Sequence, residues 1–354
     1  MTTKRFHAPD SEALDTLYGD VAEADLQPLW MLDGLMTPTP AVRPRSHVWR
    51  WAEMRPLAQR CGELVGISRG GDRRVLSLTN PSLGGRPYAT STLWGAVQYL
   101  QPGEVAPAHR HTPGALRFVL EGSGVWTRVE GDAVAMAPGD LVLTPSWVWH
   151  EHHNSGDEPM IWFDGLDQPL IETLDAIFFE PGPDANVGRE VPSRSRSEEL
   201  YAGAPGLVPV GERPEGDHSP LFAYRWADTD RALDQLLLAD PKSAVALRFA
   251  DPTTGRDVMP TMRCEMHRLP PGAATAPTRI VGSSIFVVFA GSCTVNLEGK
   301  PIELVAGDMV ATASWDEWWF ASEEGCDLFR VSDAPVIEAL GLERRSVRSS
   351  GGVG

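Results

Sequence analysis

The chain has little that would tie it to a membrane, a nucleic acid or an oxidising compartment. Four cysteines (Cys61, Cys264, Cys293, Cys326) are scattered through 354 residues without a CxxC spacing. That excludes a disulfide framework or a zinc ribbon and predicts reduced, buried thiols. No apolar run approaches the roughly 20 residues of a membrane span. The first residues, Met1-Thr2-Thr3-Lys4-Arg5-Phe6-His7, lack the apolar core of a secretory signal, so a cytoplasmic location is expected. Positive charge is in deficit, with 31 Lys and Arg against 48 Asp and Glu, a formal net charge of −17. Such a chain repels phosphate backbones and anionic headgroups, which argues against nucleic acid or membrane as a partner. Histidine is scarce as well, at nine residues, which makes its distribution informative.

What is present points to β structure. Glycine (34) and proline (30) are plentiful, as turn-rich β proteins require, and 42% hydrophobic residues suffice for a sizeable core. The length suits two domains or one large β unit. Five of the nine histidines lie between positions 109 and 153. The stretch around them reads as strands: Leu116-Arg117-Phe118-Val119-Leu120, then Val125-Trp126-Thr127, then Leu141-Val142-Leu143. Residues i and i+2 of a strand share a face, so His109 and His111 project side by side. His150, from a later antiparallel strand, completes a facial set of three imidazoles with the opposite positions open to substrate. Such a set holds Fe(II), Mn, Zn, Cu or Ni, and spacing alone does not choose among them.

The same pattern occurs twice. Leu100-Gln101-Pro102-Gly103 recurs as Leu269-Pro270-Pro271-Gly272, the segment 116–122 as 285–291, Gly139-Asp140 as Gly307-Asp308, and Ser146-Trp147 as Ser314-Trp315. The offset falls from 169 to 168, placing a one-residue loss in a loop near 293–298. Two similar units follow. In the second, Thr278, Ile280 and Trp318 occupy the places of His109, His111 and His150, so only the first unit should hold a metal. Residues 181–220, rich in Pro, Gly, Ser and charge, read as an extended connection. Helices are predicted at 11–24, with Ser11 as cap and Leu14, Leu17 and Val21 as apolar stripe, and at 230–238. A strand is predicted at 74–78.

These residues resemble a known family. His109 and His111 after Gly103, the turn Pro138-Gly139-Asp140, and His150 followed by Asn154 resemble the two-part motif of the cupins. Ala115 stands where the usual pattern has a Glu, so the ligand set is three histidines. The longer run through Ala108-His109-Arg110-His111-Thr112 and Leu143-Thr144-Pro145-Ser146-Trp147-Val148-Trp149-His150 is similar to the gentisate 1,2-dioxygenase group, which includes salicylate and 1-hydroxy-2-naphthoate dioxygenases. The resemblance spans nearly the whole chain. It implies an all-β-dominated bicupin: two antiparallel jelly-roll barrels at 90–175 and 255–335, an N-terminal arm over 1–89, a linker with a short helix over 176–254 and a tail over 336–354. It implies one Fe(II) per chain, in the first barrel, and cleavage of an aromatic ring by O2.

The resemblance also implies roles in the pocket. The expected product from gentisate is maleylpyruvate, with salicylates and 1-hydroxy-2-naphthoate as alternative substrates. A homotetramer or another homo-oligomer is expected. Arg117, six residues after His111 on a strand and so on the inward face, suits the substrate carboxylate. Phe286 takes its place in the second unit. Arg69, Arg73, Trp94, Gln98 and Asp164 match substrate-pocket positions of the family. His152, on the face of His150, is expected to bond the ring hydroxyl or move a proton, and His153 to point away into solvent. The Thr112-Pro113-Gly114-Ala115 stretch departs from the Thr-Gln-Ser-Ala of many gentisate enzymes, which bears on substituent preference. A non-oxygenase cupin, an isomerase or a binding protein, is the competing class, separated by O2 uptake.

Overall fold

The structure, a computed structural model, describes residues 12–41, 44–66, 74–182, 191–203, 207–211 and 216–347. The chain divides into two compact units, Met1–Ala41 and Val42–Gly354. In the first, α1 (Glu12–Glu23) is followed by a 3-10 turn at Leu29–Met31. The helix lies where the apolar stripe predicted it, but Leu17 is exposed and no residue of α1 is buried. Its expected cap, Ser11, lies outside the described residues.

The larger unit opens with β1 (His47–Trp49), α2 (Trp51–Leu64) and β2 (Val75–Ser77). The first barrel follows: β3 (Trp94–Leu100), β4 (Val105–His111), β5 (Ala115–Glu121), β6 (Val125–Val129), β7 (Asp132–Ala135), β8 (Leu141–Thr144), β9 (His150–Asn154) and β10 (Met160–Leu166). Next come α3 (Gln168–Thr173), β11 (Phe179–Pro181), α4 (Arg196–Tyr201), β12 (Ala223–Tyr224), α5 (Trp226–Ala239) and β13 (Val245–Arg248). The second barrel holds β14 (Arg263–Leu269), β15 (Thr278–Ile280), β16 (Ser284–Leu297), β17 (Lys300–Val305), β18 (Met309–Thr312), β19 (Trp318–Ala321) and β20 (Cys326–Ser332). It ends in α6 (Ala334–Ala339) and β21 (Arg345–Val347).

Two antiparallel sheets form the first barrel, in the orders β12-β8-β5-β10-β3-β2 and β11-β4-β9-β6-β7. The second barrel repeats them as β1-β18-β16-β20-β14-β13 and β17-β16-β19-β15-β21, joined through the long β16. Thr127 pairs with His152 in the first copy and Val295 with Phe320 in the second, while Gly291 keeps the place of Gly122. The missing residue therefore lies between Gly291 and Val295, at the start of the predicted loop or before it. Its loss fuses what are β5 and β6 in the first copy into one strand.

Strand parity decides which side chains reach the interior. On β5, Leu116 and Phe118 enter a core shared between the barrels, where Phe118 stacks on Phe329 with ring centroids 4.2 Å apart. On β10, Ile161 and Phe163 do the same, and Ile285 and Val287 answer from β16. The alternate residues, Arg117 and Val119 on β5 and Trp162 and Asp164 on β10, must then face the barrel interior.

The segments before each barrel are straps between the two. Strand β1 pairs with β18 of the second barrel, while the helix after it, α2, lies on β2 and β3 of the first. Strand β12 pairs with β8 of the first barrel, while α5 lies on β13 and β14 of the second. Each crossing is pinned by an Arg-Trp pair. The Trp226 N–H donates to Asp140 at 2.9 Å and the Arg225 guanidinium donates to it at 2.6 Å. Trp51 N–H donates to Asp308 at 2.7 Å and Arg50 at 2.9 Å. Helix α5 begins at Trp226, four residues before the predicted start, because this pin sets its first turn. A second departure is α4, inside the segment predicted as extended. Ser195 accepts from the Glu198 N–H and Glu198 accepts from the Ser195 N–H, a capping box that starts a short helix.

Candidate metal centre

His109 and His111 come from β4 and His150 from its antiparallel neighbour β9, where His109 and His150 are register partners. Their ligand atoms all lie within 4.8 Å of one another. Each ring has its Nδ1 against a main-chain carbonyl: His109 on Pro107 at 2.8 Å, His111 on Pro113 at 2.7 Å and His150 on Val148 at 2.9 Å. A carbonyl only accepts, so each neutral ring carries its proton on Nδ1, and three Nε2 lone pairs are left to converge. His150 Nε2 is buried with no hydrogen-bond partner, a cost that a cation would remove. Burial, then Arg117 and the neighbouring imidazoles, holds the His150 pKa well below its ordinary value, so the ring stays in its ligand form. This donor set fits a divalent transition metal with open positions.

Arg110, between the two β4 ligands, points the other way. It lies 4.4 and 4.6 Å from the ring centroids of Trp147 and Trp149 and pairs with Glu180 on β11. The ligand strand is thus held from its outer face.

Arg117 and Asp164 are cross-strand partners in the interior, 4% and 3% exposed. Arg117 Nε lies 3.3 Å from Asp164 Oδ1, and Nη1 donates to Thr144 Oγ1 at 2.6 Å. Asp164 also accepts from Trp162 Nε1 at 3.0 Å. Burial raises the Asp164 pKa to about 6 against the opposing pull of Arg117 and the Trp162 N–H. Burial likewise lowers that of Arg117. The pair is incompletely solvated, with Arg117 Nε lacking a well-directed bond.

His152, two residues beyond the ligand His150, is 1% exposed; burial, then Arg117 and His150, keeps it neutral. Its Nδ1 is 2.7 Å from Thr127 Oγ1 and its Nε2 is buried without a hydrogen-bond partner. His153 points away from the interior as predicted, but it is half-buried rather than free in solvent, because the ring of its register partner Trp126 stacks on it at 4.1 Å.

Gln98 is buried on the inward face of β3 with Ala96. Trp94, at the start of the same strand, is half-buried and bonds Ser77 Oγ at 3.0 Å. The structure thus brings His109, His111, His150, His152, Arg117 and Asp164 into one interior, with Gln98 and Trp94 on a strand lining it. Arg69 and Arg73 lie outside the described residues. Thr127, Thr144 and Trp162, which bond this cluster, were not singled out from sequence. The replacement of Thr127 by Val295 in the internal repeat was the available signal.

A family model for the cupin domain matches residues 96–166. A gentisate 1,2-dioxygenase from a Streptomyces species is 53% identical over 98% of this chain and 99% of its own length. A 5-aminosalicylate 1,2-dioxygenase from a Comamonas species is 32% identical over 98% of this chain and 94% of its own. The crystal structure of the salicylate 1,2-dioxygenase of Pseudoaminobacter salicylatoxidans with gentisate matches at TM-score 0.94 and 45% identity, covering 99% of this chain and 98% of that one. With a three-histidine centre in the barrel that carries the match, and relatives of this kind over its full length, the chain belongs to the gentisate 1,2-dioxygenase family of cupins and is a ring-cleaving dioxygenase.

Proposed function

We propose that this enzyme opens gentisate between C1 and C2 with O2, giving maleylpyruvate, and that the metal held by His109, His111 and His150 is Fe(II), one per chain. The observation that carries the reading is the juxtaposition of three converging imidazoles with a buried guanidinium, Arg117, in one interior. Bound there, iron would supply open positions for the ring oxygens and for O2, and the redox chemistry that joins them.

The chain's own groups bind and orient the substrate. Arg117 takes the substrate carboxylate in a charge-assisted pair, and Asp164 with Thr144 aims it. His152 Nε2 accepts the proton of a ring hydroxyl. Gln98 bonds a ring substituent and Trp94 lies along the ring. Arg69 and Arg73 add positive charge for an anion that the net charge of −17 otherwise repels. Trp162, fully buried beside His152, keeps water from that side.

The finer assignments rest on more local features. Among the described residues of the unit Met1–Ala41, eight large apolar side chains are exposed, including Leu29, Trp30, Met31 and Met36, which favours a homo-oligomer, a tetramer in this reading, that covers them. Light scattering tests it. All four cysteines are free, in keeping with a reducing, cytoplasmic setting. No helix among the described residues is long and apolar enough to cross a membrane.

The function is tested by oxygen uptake of protein loaded anaerobically with Fe(II), against gentisate, salicylate, 5-aminosalicylate and 1-hydroxy-2-naphthoate. Fastest uptake with gentisate, one O2 per ring, is expected. Faster uptake with another ring would reassign the substrate, and no uptake with any would leave a non-oxygenase cupin.

A further inference from the structure

We propose that Thr127 is a positioning residue that fixes His152 as its Nδ1–H tautomer, so that the Nε2 lone pair faces the reaction chamber. The inference rests on the reading of His152 given above and adds what sets its proton. The two residues are register partners on β6 and β9, 0% and 1% exposed, so no water competes for either. Thr127 Oγ1 has two neighbours: His152 Nδ1 at 2.7 Å and Met136 Sδ at 3.0 Å. The hydroxyl has one proton to give, and a thioether sulfur has none. Were that proton on the imidazole side, oxygen and sulfur would meet lone pair to lone pair at 3.0 Å, which is repulsive. Donation from Thr127 to Met136 removes the repulsion and leaves the oxygen as acceptor. The proton between Oγ1 and the ring must then come from the ring, on Nδ1. In the neutral ring Nε2 is therefore bare, and it has no hydrogen-bond partner among the described residues.

The second barrel supplies an internal control. By strand register, Val295 stands for Thr127 and Phe320 for His152. Leu304 stands for Met136, one residue past the Ala135 and Glu303 pairings. All three replacements are as buried as the originals. The fold therefore accepts an apolar side chain at every one of these places, and the hydroxyl and thioether are present only where the imidazole is. The ligand rings are tied through Nδ1 to main-chain carbonyls, which no substitution can remove. His152 Nδ1 is tied through a side chain, which a substitution can remove.

The test uses the full chain loaded with Zn(II), diamagnetic, with histidine labelled by 15N in the ring. His152 is assigned by its absence in His152→Phe. A protonated Nδ1 and a bare Nε2 are expected in the parent, and a shift toward the other tautomer in Thr127→Val. With Fe(II), Thr127→Val should retain its metal and KM within about twofold while kcat falls roughly 10- to 100-fold, less than the typical value of a proton-transfer group itself. Thr127→Ser should restore both tautomer and kcat. A proton on Nε2 in the parent overturns the proposal, and so does Thr127→Val with parental tautomer and kcat. If Thr127→Val does not fold, the parent spectrum and Thr127→Ser still decide. Absence of O2 uptake in the parent would instead remove the function reading and leave the tautomer result standing.

Discussion

The two barrels are nearly the same scaffold, once with a reactive centre and once without, and the residues they share differ in kind from those they do not. Shared are the Arg-Trp pins on Asp140 and Asp308. Shared too is a carboxylate bracket at the end of β10 and β20. Asp167 accepts from the Gly114 N–H at 2.9 Å and from Thr261 Oγ1, and Asp333 accepts from the Ser283 N–H at 2.8 Å and from Thr92 Oγ1. Arg110 and Arg279 both point outward from the ligand strand onto acidic partners, and Trp147 and Trp315 both hold positive φ. The bonds among these tie strands to each other or one barrel to its neighbour. Unshared are His109, His111, His150, His152, Thr127, Arg117 and Asp164, and each of them lines the first interior. Asp167 sits beside the metal loop and has its pKa raised to about 6 by burial, which alone would suggest a catalytic acid. Its counterpart Asp333 in the barrel without ligands identifies it as scaffold.

The second interior was refilled rather than emptied. Phe286, Trp318 and Phe320 pack there, with ring centroids 4.8 to 5.9 Å apart. Arg330 takes the place of Asp164, its guanidinium 5.4 Å from the Phe286 centroid and bonded to Glu265 at 2.7 Å. The Thr278 hydroxyl even keeps the local bond of His109, donating to Ala276 O at 2.9 Å. An ion pair survives in both interiors, but in opposite condition. Burial pushes Glu265 up, and Arg330 and His267 more than reverse it, to about 2. Asp164 is left at about 6 by burial. The structural pair is well satisfied. The pair in the active barrel is not, which leaves its arginine able to gain from a substrate carboxylate.

The comparison can be broken most severely by moving residues across it, and the expected effects on turnover run from complete to none. His109→Thr, His111→Ile or His150→Trp gives the first barrel what the second already has. Each should abolish O2 uptake and metal retention, since losing one of three ligands removes the set. Metal analysis of the parent should approach one ion per chain. A second ion that persists in His109→Thr would show that the second barrel holds a site after all.

Arg117→Ala comes next. It should keep its metal and raise KM for the carboxylated ring roughly 10- to 150-fold, the value of about 1.5–3 kcal/mol for a charged hydrogen bond. Unchanged KM would mean that another cation, Arg69 or Arg73, holds the carboxylate.

Much of this was legible beforehand because a two-residue strand period leaves little freedom. The spacing of His109 and His111 gives the ligand face, and the repeat locates the empty copy. Arg117 lies on another strand of the other sheet, beyond residues 112–114, so its inward face follows from alternation with the core residues Leu116 and Phe118 and not from parity with His111. The straps were not legible. Arg50-Trp51 and Arg225-Trp226 look like ordinary helix starts, and only the three-dimensional pairing shows each strand joining one barrel while its helix covers the other. Thr127 was hidden for a different reason: a β-branched residue on a strand is expected on packing grounds alone. His153 keeps its predicted face but not its predicted exposure, because sequence alternation gives the face and not whether a neighbouring aromatic covers it.

Shared scaffold should respond alike in both halves. Gly139 and Gly307 have φ of +85° and +89°, and a Cβ at either would collide with the ring of Trp226 or Trp51. Gly139→Ala and Gly307→Ala should each lower stability by roughly 2–4 kcal/mol, left-handed backbone strain plus overpacking. Urea unfolding measures it, and kcat per metal-loaded chain should change less than about twofold. A large kcat loss in Gly139→Ala alone would mean that the pin next to the active barrel tunes the site.

The smallest effect on turnover is expected from Glu265→Gln, in the inert interior, where only stability should respond. The folded carboxyl has a pKa of about 2 against an ordinary 4.5. The unfolded chain therefore binds this proton first as pH falls, and the stabilisation, fully present above pH 4.5, is lost progressively toward pH 2. A shift of that size corresponds to roughly 3 kcal/mol at neutral pH. Glutamine cannot titrate, so its deficit relative to the parent should be largest at pH 7 and should shrink as the parent is acidified. Urea unfolding of both metal-free proteins at pH 7, 5 and 3 measures that deficit. A deficit that grows in acid, or a loss of O2 uptake in Glu265→Gln at pH 7, would mean that the second interior is not the inert counterpart of the first.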